Sequence, residues 1–299
     1  MSNQFFAPGH TACSGCAQSL AARLVLEAAG PEIIVANATG CLEVFTTRAP
    51  QSSWGVPWIH SLFENVSAVA SGIEAALRAD GRSEKVKVLA FGGDGGTADI
   101  GMGSLSGLME RGQDVLYVCY DNEAYMNTGI QRSGLTPPGG NTTTSPAGKK
   151  SIGKLEGKKD MPAIMAAHKA SYVATANASY PQDLKRKIKK ALSLPGAKYI
   201  QILVPCPLGW RYEGKDTILA GKLAVETGLF PLFEMENGVV TKVMKLKEKK
   251  SVDDYLKLQR RFAHLYKSEA GKEELAKIQT IADQNIEKFG LLEKEEAKA

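Results

Sequence analysis

Residues 86–97 constrain this chain more than any other stretch. An apolar run from Val86 to Phe91 ends in Gly92-Gly93-Asp94-Gly95-Gly96-Thr97, and a segment of helical composition follows. Glycine lets a backbone turn sharply and come close to a ligand. A helix start offers free N–H groups and the positive end of its dipole to a phosphate. Asp94 stands where a divalent cation would bridge that phosphate. A second apolar run, Val115 to Tyr120, ends in Asp121-Asn122 and supplies further oxygen ligands. Phosphate and hard oxygen donors are what Mg2+ takes. The residues alone thus describe a phosphate and Mg2+ site at the C-terminal ends of two strands. The plainer alternative is a tight turn in which Asp94 only caps a helix.

The rest of the chain supplies the frame. Ala17 to Ala29 reads as a helix with Leu20, Leu24, Val25 and Ala28 on one side, and Ile33 to Ala36 as a buried strand ending in Thr39-Gly40-Cys41. Residues 46–60 read as loop, and Leu62 to Ala79 and Asp99 to Arg111 as helices. Thr136 to Lys154, rich in Pro, Gly, Thr, Ser and Lys, reads as a long flexible or ligand-covering loop. Asp160 to Ala170 and Pro181 to Leu194 read as helices, Tyr172 to Ala174 as a weak strand, and Tyr199 to Val204 as a strong one ending at Pro205-Cys206-Pro207. Alternating strands and helices predict an α/β fold, a mainly parallel sheet with helices on both faces. Ligands sit beyond the carboxyl ends of strands in such sheets. Asp94, Asn122, Cys41 and Cys206 all lie at such ends. From Gly238 the character changes, and Val252 to Phe289 is charged and helix-periodic. The division expected is a main domain over 1–235 and a C-terminal helical extension over 236–299.

Composition narrows the function. Hydrophobic residues make up 43% and charged residues 23% of the 299, so a sizeable core is expected. The net charge is a mild +5, and no basic patch is interleaved with aromatics, which argues against nucleic acid. The lysines of 185–190 and 242–250 read as solvated faces. No run reaches the apolar length of a membrane span, and residues 1–13 lack the apolar core of a signal peptide, so the expected compartment is the cytoplasm. Disulfides are rare there, and five cysteines need another explanation.

Gly93-Asp94-Gly95, followed after twenty-six residues by Asn122, resembles the thiamine diphosphate signature. The segment Asp121-Asn122-Glu123-Ala124-Tyr125-Met126-Asn127-Thr128-Gly129-Ile130-Gln131 is more specific. It is similar to the matching segment of the 2-oxoacid:ferredoxin oxidoreductases, pyruvate:ferredoxin oxidoreductase in particular. Ala7-Pro8-Gly9-His10 with Cys13 and Cys16, the Gly40-Cys41 pair and Phe63-Glu64-Asn65 also look like the β subunit of those enzymes. The resemblance covers roughly residues 5–235. It implies Mg2+ on the Asp94 carboxylate, the Asn122 side-chain oxygen and the Ala124 carbonyl, with Asn127 and Thr97 near the diphosphate. Some relatives carry threonine at the position of Asn122, and both supply a neutral oxygen.

Cys13, Cys16, Cys41 and Cys206 resemble the four ligands of a [4Fe–4S] cluster in that family. Spacing alone leaves a zinc site with four cysteine ligands open. Cys119, inside the Val115–Tyr120 run, reads as core. His10 and His60 lie in loops near these sites and read as structural histidines, with orientation of a cofactor as the alternative, and Trp54 and Trp58 read either as shields of the cluster or as loop anchors.

The resemblance implies oxidative decarboxylation of a 2-oxoacid, with electrons leaving singly through the cluster to ferredoxin and the acyl group passing to coenzyme A. Pyruvate is the substrate it favours; branched 2-oxoacids, 2-oxoglutarate, aryl-glyoxylates and oxalate serve related chains. No glutamate here has the expected role of activating the aminopyrimidine, and there is no ferredoxin-like module. An α subunit is expected to bring that glutamate, with small γ and δ subunits to carry electrons onward. The rival readings are a non-oxidative thiamine decarboxylase or synthase, against which the cysteines speak, and a zinc-stabilised assembly subunit.

Overall fold

The computed structural model describes residues 5–48, 50 and 52–293. The outer ends of both expected domains, 1–4 and 294–299, lie outside the described residues. The chain opens with α1 (Ala17–Ala29), β1 (Ile33–Ala38), α2 (Cys41–Thr46), β2 (Trp58–Ser61), α3 (Val66–Ala79) and β3 (Lys87–Gly93). A π-type turn over Gly96–Ile100 leads into α4 (Met102–Glu110) and β4 (Val115–Asp121), and a two-stranded ribbon follows, β5 (Ala147–Gly148) with β6 (Ser151–Ile152). Then come α5 (Met161–Ala167), β7 (Tyr172–Asn177), α6 (Pro181–Ser193), β8 (Lys198–Leu203), α7 (Pro207–Trp210) and α8 (Thr217–Glu226). The chain ends with β9 (Phe233–Glu236), β10 (Val239–Val243), α9 (Val252–Leu258) and α10 (Glu269–Phe289).

Eight strands form one sheet in the order β10-β9-β7-β8-β4-β3-β1-β2. The pairs from β7 to β2 are parallel, and β9 and β10 pair antiparallel. β4, Val-Leu-Tyr-Val-Cys-Tyr-Asp, is buried along its whole length, as a central parallel strand covered on both faces must be. Val118 and Tyr120 face the core formed with α1 and α6, whereas Tyr117 and Cys119 face α3, α4 and α5. The expected α/β sheet with helices on both faces is therefore observed, and Cys119 is core. α6 buries Leu184, Ile188 and Ala191 at helical spacing behind Pro181 in its first turn. No helix among the described residues is long and apolar enough to cross a membrane.

Two expectations need correction and a third needs refining. Residues 46–60 are not all loop: Trp58–Ser61 pairs with β1 as the sheet's edge, and its exposed Ile59 and His60 hid the strand pattern. Residues 136–154 are loop, as expected, apart from the β5–β6 ribbon, but their two ends are anchored. Thr136 is fully buried, and the buried Lys154 donates to the Thr136 carbonyl at 2.7 Å and the Gly157 carbonyl at 2.9 Å, tying the segment together. The boundary at 235/236 falls inside β9. Asn237 and Gly238 both take positive φ, 50° and 81°, and turn the chain into β10, so the sheet runs on to Val243. Beyond it, α9 and α10 pack with α8 in a third core around Trp210, Tyr255, Leu256 and Ile278.

Candidate functional site

In the order β8-β4-β3-β1, the C-terminal strand ends lead in turn to Cys206, Asn122, Asp94 and Cys41. One cleft at that edge is lined by Gly93, Asp94, Gly95, Asn122, Ala124 and Asn127, and by Cys41. Six of the residues expected at the diphosphate and the cation thus meet in one place, and a cysteine joins them. Thr97 does not. Its side chain is fully buried, donates to the Gly93 carbonyl at 2.6 Å and meets the Tyr117 hydroxyl at 3.0 Å. The helical turn after β3 points it into the sheet, so its hydroxyl steadies the Gly93 corner instead of reaching a ligand.

The cation geometry centres on Asp94, which is 2% exposed. Its Oδ2 accepts from the Ser133 hydroxyl at 2.5 Å. One atom of the Asn122 amide lies 2.7 Å from the Ala124 carbonyl oxygen and 3.0 Å from Asp94 Oδ1. With nitrogen in that place, the amide donates to both oxygens. With oxygen there, three oxygens face one point, the donor set of a hard divalent cation. Burial, and then the nearby Asp121, push the Asp94 carboxyl well above its ordinary range. A carboxylate so placed calls for a cation to charge against. The residues present therefore fit Mg2+.

The cleft also fits a bound organic diphosphate. A Cβ added at Gly93 meets nothing within 4 Å, so this glycine keeps open space toward the cleft. Gly95 is different: a Cβ there would lie 2.3 Å from the Tyr125 ring. Asn37 Oδ1 and the Tyr120 hydroxyl line the same cleft, and both are buried without a hydrogen-bond partner. Orphaned buried polar atoms are rare and point to an absent ligand or water. Gly93→Val is expected to leave folding intact and weaken thiamine diphosphate binding by at least about tenfold. Gly95→Ala is expected to cost about 1–3 kcal/mol of stability. Thermal melts and a cofactor titration separate the two.

The four expected cluster cysteines are drawn to one corner. Cys16 starts α1, and the Cys13–Cys16 turn closes through Cys16 N–H to the Cys13 carbonyl at 3.0 Å. Gly15, at φ 77°, packs directly on Gly214, and the Thr217 hydroxyl donates to the Gly15 carbonyl at 2.7 Å. This ties the turn to the segment that follows Cys206. Burial pushes the Cys41 thiol up to about 12, with Cys206, Cys16, Asp94 and Cys13 adding to it. Burial likewise raises Cys206 to about 11, with Cys16 and Cys13 contributing. The thiols thus sense one another. Among the described residues, no three His, Cys, Asp or Glu side chains converge closely enough to hold a single metal ion. The sequence spacing leaves a cluster and a zinc site with four cysteine ligands both open at this corner.

His60 meets the Thr39 hydroxyl at 2.8 Å and stacks on Trp58, and His10 packs against Phe6 and Phe45. Both are engaged structurally. Trp54 stacks on Trp58 and touches Phe91, one of the cleft residues. Sequence reasoning missed Ser133, Asn37 and Tyr120. It also missed a buried ion network behind Asn122, in which Lys158 Nζ bridges Asp121 at 3.1 Å and Glu123 at 2.7 Å while Arg261 pairs with Glu123. Only Asp121 and Glu123 carry a local signal, their place on either side of Asn122.

This sheet, with a cleft at its strand ends whose residues fit a diphosphate and a divalent cation, points to a class. Residues 38–202 match the family model for the thiamine pyrophosphate enzyme, C-terminal TPP binding domain. The chain is 56% identical over 287 residues to pyruvate synthase subunit PorB of Methanosarcina barkeri, covering 96% of this chain and 97% of that one. It is 46% identical over 294 residues to the subunit of the same name from Thermotoga maritima, covering 95% and 91%. It is 47% identical over 271 residues to ketoisovalerate oxidoreductase subunit VorB of Pyrococcus abyssi, covering 89% and 87%. A solved 2-oxoglutarate:ferredoxin oxidoreductase from Magnetococcus marinus shares the fold, with a TM-score of 0.59 at 22% identity over 86% of this chain and 89% of that one. The chain belongs to the thiamine diphosphate-binding β subunits of the 2-oxoacid:ferredoxin oxidoreductase family, the group that includes PorB.

Proposed function

We propose that this chain is the cofactor-holding β subunit of a pyruvate:ferredoxin oxidoreductase, working in either direction between pyruvate and its acyl-coenzyme A product. The observation that carries the reading is the convergence of Asp94, Asn122 and Ala124 with Cys41 in one cleft. Bound thiamine diphosphate would supply the electron sink for decarboxylation. Asp94, the Asn122 amide oxygen and the Ala124 carbonyl would hold the Mg2+ that anchors its diphosphate. Gly93 leaves the backbone open to that diphosphate, Gly95 lines the cleft while making room for the Tyr125 ring, and Asn127 stands exposed at the cleft mouth. Cys13, Cys16, Cys41 and Cys206 would hold a [4Fe–4S] cluster at the adjoining corner. Cys41 lines the cleft and is one of the four thiols, so a cluster held there would adjoin the cofactor site and could accept its electrons.

Among the described residues lining the cleft, none is a glutamate. Glu123 is turned away and taken up by Lys158 and Arg261. The group that activates the cofactor's ring is therefore assigned to an α subunit, and onward electron transfer to γ and δ subunits and ferredoxin. The sheet and the loops at its strand ends carry every ligand in this reading, and the residues beyond Val243 form a supporting extension. Reduced thiols and an oxygen-sensitive cluster belong in the cytoplasm.

Pyruvate is favoured by the identity to PorB from several organisms. The similarity to VorB keeps a branched 2-oxoacid as the second reading. Dye-coupled assays of the assembled enzyme test both. Pyruvate is expected to exceed 2-oxoisovalerate in kcat/KM by at least about tenfold; the reverse order would move the assignment to the branched acid. The isolated chain is expected to be inactive, and full coenzyme A-dependent activity without partners would overturn the subunit reading.

A further inference from the structure

The turn that presents Asn122 and Ala124 is held from outside the region that matches the family model. Glu123, between the two, has φ 68°, a left-handed conformation that costs a non-glycine residue energy unless its surroundings hold it. Its surroundings do so on several sides. The Glu123 N–H donates to Asp121 Oδ1 at 3.0 Å, and the Thr136 hydroxyl donates to the Glu123 carbonyl at 2.7 Å. Trp210 Nε1 donates to the Asn122 carbonyl at 2.8 Å. The Glu123 carboxylate receives Lys158 Nζ on Oε1 and the Arg261 guanidinium on Oε2. Arg261 is itself fixed: its guanidinium lies 4.1 Å from the centre of the Trp210 ring, and its Nε donates to Gln259 Oε1 at 2.9 Å. Arg261 is 3% exposed and follows α9 in the C-terminal extension, well beyond residue 202.

We propose that Arg261 is a positioning residue for the cation site. By clamping Glu123 it holds the 122–124 turn so that the Asn122 amide and the Ala124 carbonyl face Asp94, and so sets the affinity for Mg2+ and for the diphosphate it anchors. This gives the C-terminal extension a part in cofactor binding. The inference rests on the Mg2+–thiamine diphosphate reading of the cleft. Arginine suits the task because its planar fork can stack on Trp210 and bond a carboxylate at once, which a lysine ammonium cannot.

The buried charges dictate the variant. Removing Arg261 alone leaves Glu123 short of a partner and risks the fold. Glu123→Gln with Arg261→Gln removes one charge of each sign and leaves Lys158 paired with Asp121. The probe is Mg2+ itself, titrated into the assembled enzyme with thiamine diphosphate in excess and followed by tryptophan fluorescence, beside an iron assay and a thermal melt. The double variant is expected to keep its iron and its fold while its Mg2+ dissociation constant rises about 10–100-fold. The kcat at saturating Mg2+ is expected to change little. Arg261→Lys is expected to fall between, and it carries the test if the double variant does not fold. An unchanged Mg2+ constant in a folded variant, or a fall in kcat alone, would overturn the proposal. Asp94→Ala run alongside separates the two levels: if the parent enzyme binds no Mg2+–thiamine diphosphate, or Asp94→Ala binds it as the parent does, the cofactor reading of the cleft has itself failed.

Discussion

Asp94→Asn is expected to abolish Mg2+-dependent thiamine diphosphate binding and, in the same protein, to raise the melting temperature of the cofactor-free chain. Both effects follow from one carboxylate. An aspartate in water titrates near 3.9. Burial and then Asp121 hold Asp94 well above that in the folded chain. Below the unfolded value the group is protonated in both states and contributes nothing. As pH rises through the raised folded value, ionisation becomes harder in the folded state than in the unfolded one, and stability is lost. At neutral pH that penalty is present until a cation offsets it. Asparagine has the same shape without the charge and still offers Ser133 an acceptor. A gain of about 1–3 kcal/mol is expected, a rise of several degrees by scanning calorimetry. Cofactor affinity is expected to fall by more than about 100-fold, since losing a direct ligand exceeds the cost of losing an outer-shell partner. Mg2+ uptake by the parent protein should also weaken as pH falls, because the ligand must be ionised. Titrations at two pH values read that dependence. An Asp94→Asn protein that bound Mg2+–thiamine diphosphate normally would remove the cation site from Asp94.

Cys41→Ser is expected to leave that affinity nearly unchanged and to silence electron transfer. Cys41 begins α2 at the end of β1, lines the cleft with Asp94, and shares its corner with the other three thiols. It donates no oxygen to the cation site, so a titration of Mg2+ and thiamine diphosphate should resemble the parent. Serine is a poor ligand for a cluster that wants four thiolates. Reduction of a low-potential dye by 2-oxoacid is expected to drop to background. Cys119→Ser is the control. Cys119 lies buried in β4, facing α3, α4 and α5, and its loss should lower stability without touching iron or dye reduction. Equal losses from Cys41→Ser and Cys119→Ser would mean that the first acts only through the fold.

The parts of the site legible in the sequence are those whose chemistry is local. An apolar run that stops at Gly93-Asp94-Gly95, and another that stops at Asp121-Asn122, place two oxygen ligands at strand ends without knowledge of the fold. Parallel pairing of β3 with β4 then brings them together. Thr97 shows the limit of spacing. It lies only three residues beyond Asp94, yet a helical turn carries its hydroxyl back to the Gly93 carbonyl. Arg261 shows a deeper limit. It lies 138 residues from Glu123, and nothing in either segment marks the pair. The extension reads as a separate helical piece because its charge pattern is that of a solvated helix. The Asn237-Gly238 turn that joins it to the sheet does carry a local signal, one outweighed by that charge pattern.

One chain is expected to hold both the thiamine diphosphate cradle and the cluster that takes its electrons. Iron and acid-labile sulfide per chain, measured on anaerobically purified protein and on its Cys41→Ser variant, test it most directly. About four of each are expected in the brown parent protein, with loss of both in the variant. Colourless parent protein carrying one zinc and no iron would contradict it.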